Sequence, residues 1–246
     1  MTPSAFLSRL LILFALACAS LSPLWAVAQI GNANTSVVTT DQVRAELVAQ
    51  APDGIGPGKT VWVGLQLTHK PQWHTYWKNS GDSGLATQLQ WTLPEGVSAG
   101  AIQWPLPRKI PIGNLANYGY EDTVLLPVPL TIDARFKPSL LTDTLTVKLD
   151  AAWLVCKTEC IPQEGRFTLQ VPIKSSTAGN AAAFETARRN TPDDLPLASG
   201  NRLDIHGHAI RLVVHGLPAD WQGRTVEFFP ETPEVIATAA AWHQSW

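Results

Sequence analysis

The chain has 246 residues, a formal net charge of −2 and 45% hydrophobic side chains. No basic run interleaves with aromatic residues, so a nucleic-acid surface is excluded. The 19 prolines and 17 glycines, with few long helical patterns, point to a β-rich chain with many turns.

The first 28 residues have the layout of a secretory signal. Arg9 is their only charge, Leu10 to Leu16 are apolar, and Ala26-Val27-Ala28 is a small-residue cleavage pattern. The apolar run is too short for a membrane span, which needs roughly 20 residues. Residues 1–28 are therefore expected to be a cleavable signal peptide that carries Cys18 away. The exported remainder is expected to be soluble, with one or two domains.

From Val37 to about Ile173 the pattern is that of strands. Val43, Ala45, Leu47 and Ala49 alternate with polar residues, as do Val61, Val63, Leu65 and Leu67. Leu89, Trp91 and Leu93 precede a Pro94-Glu95-Gly96 turn. Val124 to Leu130 contains Pro127 and Pro129, so an edge strand or extended segment is expected there. Leu145, Val147, Leu149, Ala151 and Trp153 share one face. Phe167, Leu169, Val171 and Ile173 share another after a Gln163-Glu164-Gly165 turn. Short strands at turn-punctuated spacing predict an all-β fold, an antiparallel β-sandwich of immunoglobulin-like type, over residues 29–174. The six tryptophans between 62 and 153 suit its core.

Residues 175–198 read as a linker with a short helix over Ala181 to Arg189, basic at its C-terminal end where the helix dipole favours it. Strand patterns resume at Leu203 to Ile205, Ile210 to Val214 and Val226 to Phe229. Residues 199–246 are too few for a sandwich and read as an incomplete second β-domain.

Without Cys18, the chain keeps one close-spaced pair, Cys156 and Cys160. Cys156 ends a predicted strand, and Cys160 begins the connection to the next. Three chemistries fit. A structural clip closing so short a loop contributes about 2 kcal/mol. A copper site could use both thiolates with His74 as third ligand and His69 beside it. A closed zinc site lacks ligands. A redox couple needs only one accessible attacking sulfur and one resolving sulfur. Lys157 favours a thiolate and Glu159 opposes one. The Cys-x3-Cys spacing is not that of thioredoxin, and no βαβ pattern surrounds it.

The segment Trp153 to Glu164 (WLVCKTECIPQE) resembles the cysteine motif of the N-terminal periplasmic domain of the DsbD-type thiol:disulfide interchange family, in its ScsB-like, copper-tolerance branch. Trp73-His74-Thr75-Tyr76-Trp77-Lys78-Asn79, Gly81-Asp82-Ser83-Gly84, Trp104-Pro105, Tyr118-Gly119-Tyr120-Glu121 and Phe228-Phe229-Pro230 carry the same resemblance. It implies an immunoglobulin-like periplasmic domain that passes reducing equivalents through Cys156 and Cys160 and needs no bound cofactor. It also implies partners: periplasmic thioredoxin-like or disulfide-isomerase-like proteins, plus a membrane domain and a thioredoxin-like electron donor outside this sequence. Tyr120 and Glu121 are matched to the loop that caps the disulfide, while Trp73, His74, Tyr76 and Trp77 are read as packing.

Overall fold

The computed structural model describes residues 35–138, 142–194 and 199–246. The signal-peptide assignment, residues 1–28, lies outside them. In chain order the first strands are β1 (Val37–Thr39), β2 (Val43–Gln50), β3 (Val61–His69), β4 (Thr75–Gly81), β5 (Gln88–Thr92), β6 (Val97–Ala99) and β7 (Arg108–Ile112). They are followed by β8 (Leu115–Tyr120), β9 (Thr123–Ile132), β10 (Thr144–Cys156), β11 (Cys160–Pro172), the helix α1 (Ala181–Arg189), β12 (Arg202–His206) and β13 (Ala209–Val213). All named strand pairings are antiparallel. The fold is all-β and immunoglobulin-like, as the alternation predicts.

A five-stranded sheet runs in the order β1-β2-β3-β9-β6, and three-stranded sheets run β11-β10-β5 and β4-β8-β7. The alternating residues of β2, β3, β9 and β10 meet in one core. Val43, Val63, Leu65, Leu67, Val128, Val147 and Val155 are fully or almost fully buried there. Trp77 and Trp153 are buried in it, and Trp73, Trp91 and Trp104 pack against its margin. Burial of each such large side chain stabilises the fold by about 2 kcal/mol.

Four details differ from the sequence pattern. The segment with Pro127 and Pro129 is not an edge: β9 lies between β3 and β6. Both prolines turn their nitrogens away from β3, toward residues 100–103, where only their carbonyls are needed. Pro127 O accepts from Gln103 N at 2.8 Å, and Pro129 O accepts from Gly100 N at 2.9 Å. The β6 ladder covers only Leu130 to Ile132 of β9, so no proline N–H is missed.

The Gln163-Glu164-Gly165 turn is the second difference. β11 runs straight through it and pairs residue by residue with β10, from Cys156↔Cys160 to Thr144↔Pro172. Gly165 serves a neighbour instead: a Cβ there would lie 2.6 Å from the Phe167 ring. Pro162 is tolerated because β11 is the outer strand of its sheet. Third, Cys160 is therefore the first residue of β11 and not part of a longer connection.

Fourth, Val226 to Phe229 forms no strand. Val226 N is taken by the Gln244 side chain at 3.0 Å, and Phe229 inserts edge-on against Trp77 and Tyr118. The chain from there to Thr238 lies along β4 and the start of β8. Asn79 Nδ2 donates to Pro230 O at 2.7 Å, and Lys78 pairs with Glu231. The Asp82 carboxylate accepts from both Ala116 N and Thr238 N.

The helix forms over the residues expected. At nine residues it is shorter than an isolated helix needs for stability in water. Its order comes from packing: Phe184 and Ala187 bury against Val48 and Leu125 on the outer face of the five-stranded sheet. β12 and β13 form a separate two-stranded hairpin whose Leu203, Ile205 and Leu212 are exposed.

Candidate functional site

β10 and β11 form a long hairpin with Cys156 and Cys160 as its last pair, closed by Lys157, Thr158 and Glu159. The two sulfurs are bonded, with Cα atoms 4.2 Å apart. Lys157 N donates to Glu159 O at 3.0 Å across the turn.

The sulfurs differ in access. Cys156 is 2% exposed, whereas Cys160 is exposed. The burial of Cys156 follows from a second pairing on its other side. Cys156 N donates to His74 O at 2.9 Å, and His74 N donates to Cys156 O at 3.0 Å. This isolated bridge sets the entry to β4 beside the end of β10. Residues paired across strands project to the same face. Cys160, Cys156 and His74 therefore form a cross-strand row, and Tyr76 joins them two residues farther along the chain.

Tyr76 is the tyrosine that reaches the disulfide. Its hydroxyl lies 3.7 Å from Cys160 Sγ, and a bonded sulfur has no proton, so the hydroxyl is the donor. The ring is 1% exposed. On one side it meets the edge of the His74 ring, with centroids 5.2 Å apart. On another lies Gly84, at φ +102°, where a Cβ would come within 2.2 Å of the Tyr76 ring. Burial pushes the Tyr76 hydroxyl above its ordinary pKa and pulls His74 below its own. Both groups are thus neutral near pH 7. His74 Nε2 is buried without a hydrogen-bond partner.

The opposite face of this segment anchors it. Thr75 Oγ1 lies 3.0 Å from His69 Nε2, and His69 Nδ1 lies 2.9 Å from Asp122 O. The carbonyl can only accept, so Nδ1 carries the proton and Nε2 accepts from Thr75. His69 N also donates to Asp122 O, at 2.7 Å. Asp122 adopts φ +57° in the turn between β8 and β9, a conformation that Asp tolerates better than most residues.

The other candidates lie as follows. Tyr120 is buried, and its hydroxyl donates to Pro105 O at 2.7 Å. Its backbone pairs with Thr75, one residue from His74. Glu121 is half-buried in the β8–β9 turn and faces Arg108 at 3.9 Å. His69 is engaged with Thr75 and Asp122 as described. Among the described residues no group of three or more His, Cys, Asp or Glu is arranged to hold a metal.

Residues 41–172, more than half of the chain, match the family described as thiol:disulfide interchange protein DsbD, N-terminal. The chain belongs to this family. The DsbD N-terminal match takes in the whole hairpin, the His74–Tyr76 segment and the β8–β9 turn. Among solved structures, the chain is similar to the N-terminal periplasmic domain of ScsB from Proteus mirabilis, at 20% identity and a TM-score of 0.52. That likeness covers 73% of this chain and 68% of the other, and it shows the shared fold. No curated protein matches the chain.

Proposed function

We propose that this domain exchanges thiols and disulfides with periplasmic partners through Cys156 and Cys160. The observation that carries the reading is the asymmetry of the pair: an exposed Cys160 sulfur bonded to a buried Cys156 sulfur at the tip of a hairpin. Exchange proceeds by in-line attack of a thiolate on an accessible sulfur. A donor thiolate therefore attacks Cys160 Sγ, the Cys156–Cys160 bond breaks, and Cys156 leaves as a thiolate and takes a proton. The donor's second thiolate then displaces Cys160. The donor dithiol becomes a disulfide, and the domain gains two electrons and up to two protons.

Reduction of a target runs the same steps backwards. Cys160 attacks the target disulfide and Cys156 resolves the mixed disulfide. The fitting partners are thioredoxin-like proteins, because both half-reactions need an accessible dithiol or disulfide and membership of the DsbD N-terminal family points to that class. Family membership supports this chemistry, and the leader-like residues 1–28 support an exported, periplasmic setting.

The test is trapping with single-cysteine variants. Cys156→Ser leaves the accessible sulfur without its resolving partner and is expected to accumulate mixed disulfides with thioredoxin-like proteins. Cys160→Ser leaves only the buried sulfur and is expected to accumulate few or none. Equal trapping by both variants, or by neither, contradicts the assignment.

A further inference from the structure

Resting on the exchange reading above, we propose that Tyr76 is a catalytic residue of the pair: its hydroxyl holds the Cys160 thiolate by a hydrogen bond whenever that sulfur is unbonded. The geometry is already set in the oxidised protein. The hydroxyl stands 3.7 Å from Cys160 Sγ, and among the described residues no other hydrogen bond competes for it. The ring cannot swing away freely, because Gly84 and His74 close on it and it is 1% exposed. Gly84 is itself part of the seat: any side chain there would occupy the space of the ring.

Cys160 carries a negative charge when the donor's second thiolate displaces it, and again when it attacks a target disulfide. A disulfide sulfur is a weak acceptor, whereas a thiolate is a strong one, so the same hydroxyl binds the reduced state more tightly. That difference favours the thiolate over the thiol and the reduced pair over the oxidised pair. Other ionisable groups around Cys160 are Lys157 and Glu159 on the turn and His74 on β4. Burial keeps His74 neutral, and none of the three is altered by removing the Tyr76 hydroxyl.

The step is balanced by the donor dithiol. Its two electrons enter the Cys156–Cys160 bond; one of its protons ends on Cys156, and the other is taken by Cys160 or released to solvent according to the acidity of that thiol, while Tyr76 keeps its own proton throughout. The hydroxyl donates a hydrogen bond and does not ionise.

The experiment uses Tyr76→Phe, which keeps the ring in its seat and deletes one oxygen. Tyr118→Phe is the control. Tyr118 is also buried, but its hydroxyl faces Thr238. Thiolate absorbance against pH after reduction with dithiothreitol, and the dithiol–disulfide equilibrium against the same reagent, are read on each protein. A hydrogen bond to a charged group supports about a tenfold effect. Tyr76→Phe is therefore expected to weaken Cys160 acidity about tenfold and shift the equilibrium about tenfold toward the disulfide, or about 30 mV more reducing. Tyr118→Phe is expected to change neither.

Unchanged acidity and potential in Tyr76→Phe, or equal changes in both variants, overturns the role of Tyr76. Neither readout needs a biological partner. Failure of the trapping experiment with Cys156→Ser overturns the exchange reading separately and leaves the Tyr76 measurement interpretable.

Discussion

His69 ties the stability of the site to pH. Its imidazole is buried, and that burial is the main reason its pKa falls from 6.5 to about 4; the neighbouring His74 adds to the fall, and the bond to Asp122 O opposes it. In the unfolded chain His69 takes up a proton as pH drops through about 6.5. In the folded protein it does so only near 4. Between these values the unfolded state binds more protons, so stability rises with pH. The contribution is complete above 6.5 and is lost as pH falls toward 4. At about 1.4 kcal/mol per unit, the full interval amounts to about 3 kcal/mol. The perturbation is His69→Gln, whose amide can donate to Asp122 O and accept from Thr75 without titrating. Urea unfolding followed by tryptophan fluorescence, from pH 7.5 to 4.5, gives the stability of each protein. The wild type is expected to lose about 1.4 kcal/mol per pH unit more than the variant between 6 and 4.5. Parallel curves would refute the reasoning, because they would mean that His69 protonates equally in both states.

Two further outcomes are expected. Gly84→Ala combines a backbone at φ +102° with a Cβ that overlaps the Tyr76 ring, so it is expected to cost about 3 kcal/mol or more in denaturant unfolding; a change below about 0.5 kcal/mol would show that the ring has room to move. Reduction of the disulfide opens a loop of only four residues' separation, so it is expected to lower stability by about 2 kcal/mol. The domain should then remain folded by circular dichroism with both cysteines reduced, as an exchanging domain must, whereas unfolding on reduction would mark the bond as a structural staple.

The sequence made some of this architecture legible and hid the rest for physical reasons. Alternation in β2, β3 and β10 named core residues directly, because one face of each strand is buried and the period of two is strict. Pro127 and Pro129 misled in β9: the cost of a proline depends on which side its missing N–H would face, and that is set by the register with β3. Gly165 resembled a turn glycine, yet it makes space for Phe167 within a strand. The cysteine pair was plain from composition alone. Tyr76 was not, since its approach to Cys160 depends on the single bridge between His74 and Cys156, a long-range contact with no local signature. The i, i+2 spacing of His74 and Tyr76 put them on one face, but nothing in the sequence said what that face would meet. Tyr120 has a similar aromatic motif around it, and the structure gives its hydroxyl to Pro105.

The central claim is that Cys156 and Cys160 form an exchanging couple, and the reduction potential of the wild-type domain tests it most directly. Equilibration with a thioredoxin-type dithiol of known potential, quantified by mass after thiol alkylation, measures that value. The account expects a reversible two-electron couple between about −120 and −270 mV, the range of exchange proteins. A potential below about −300 mV, where structural disulfides resist reduction, would contradict it.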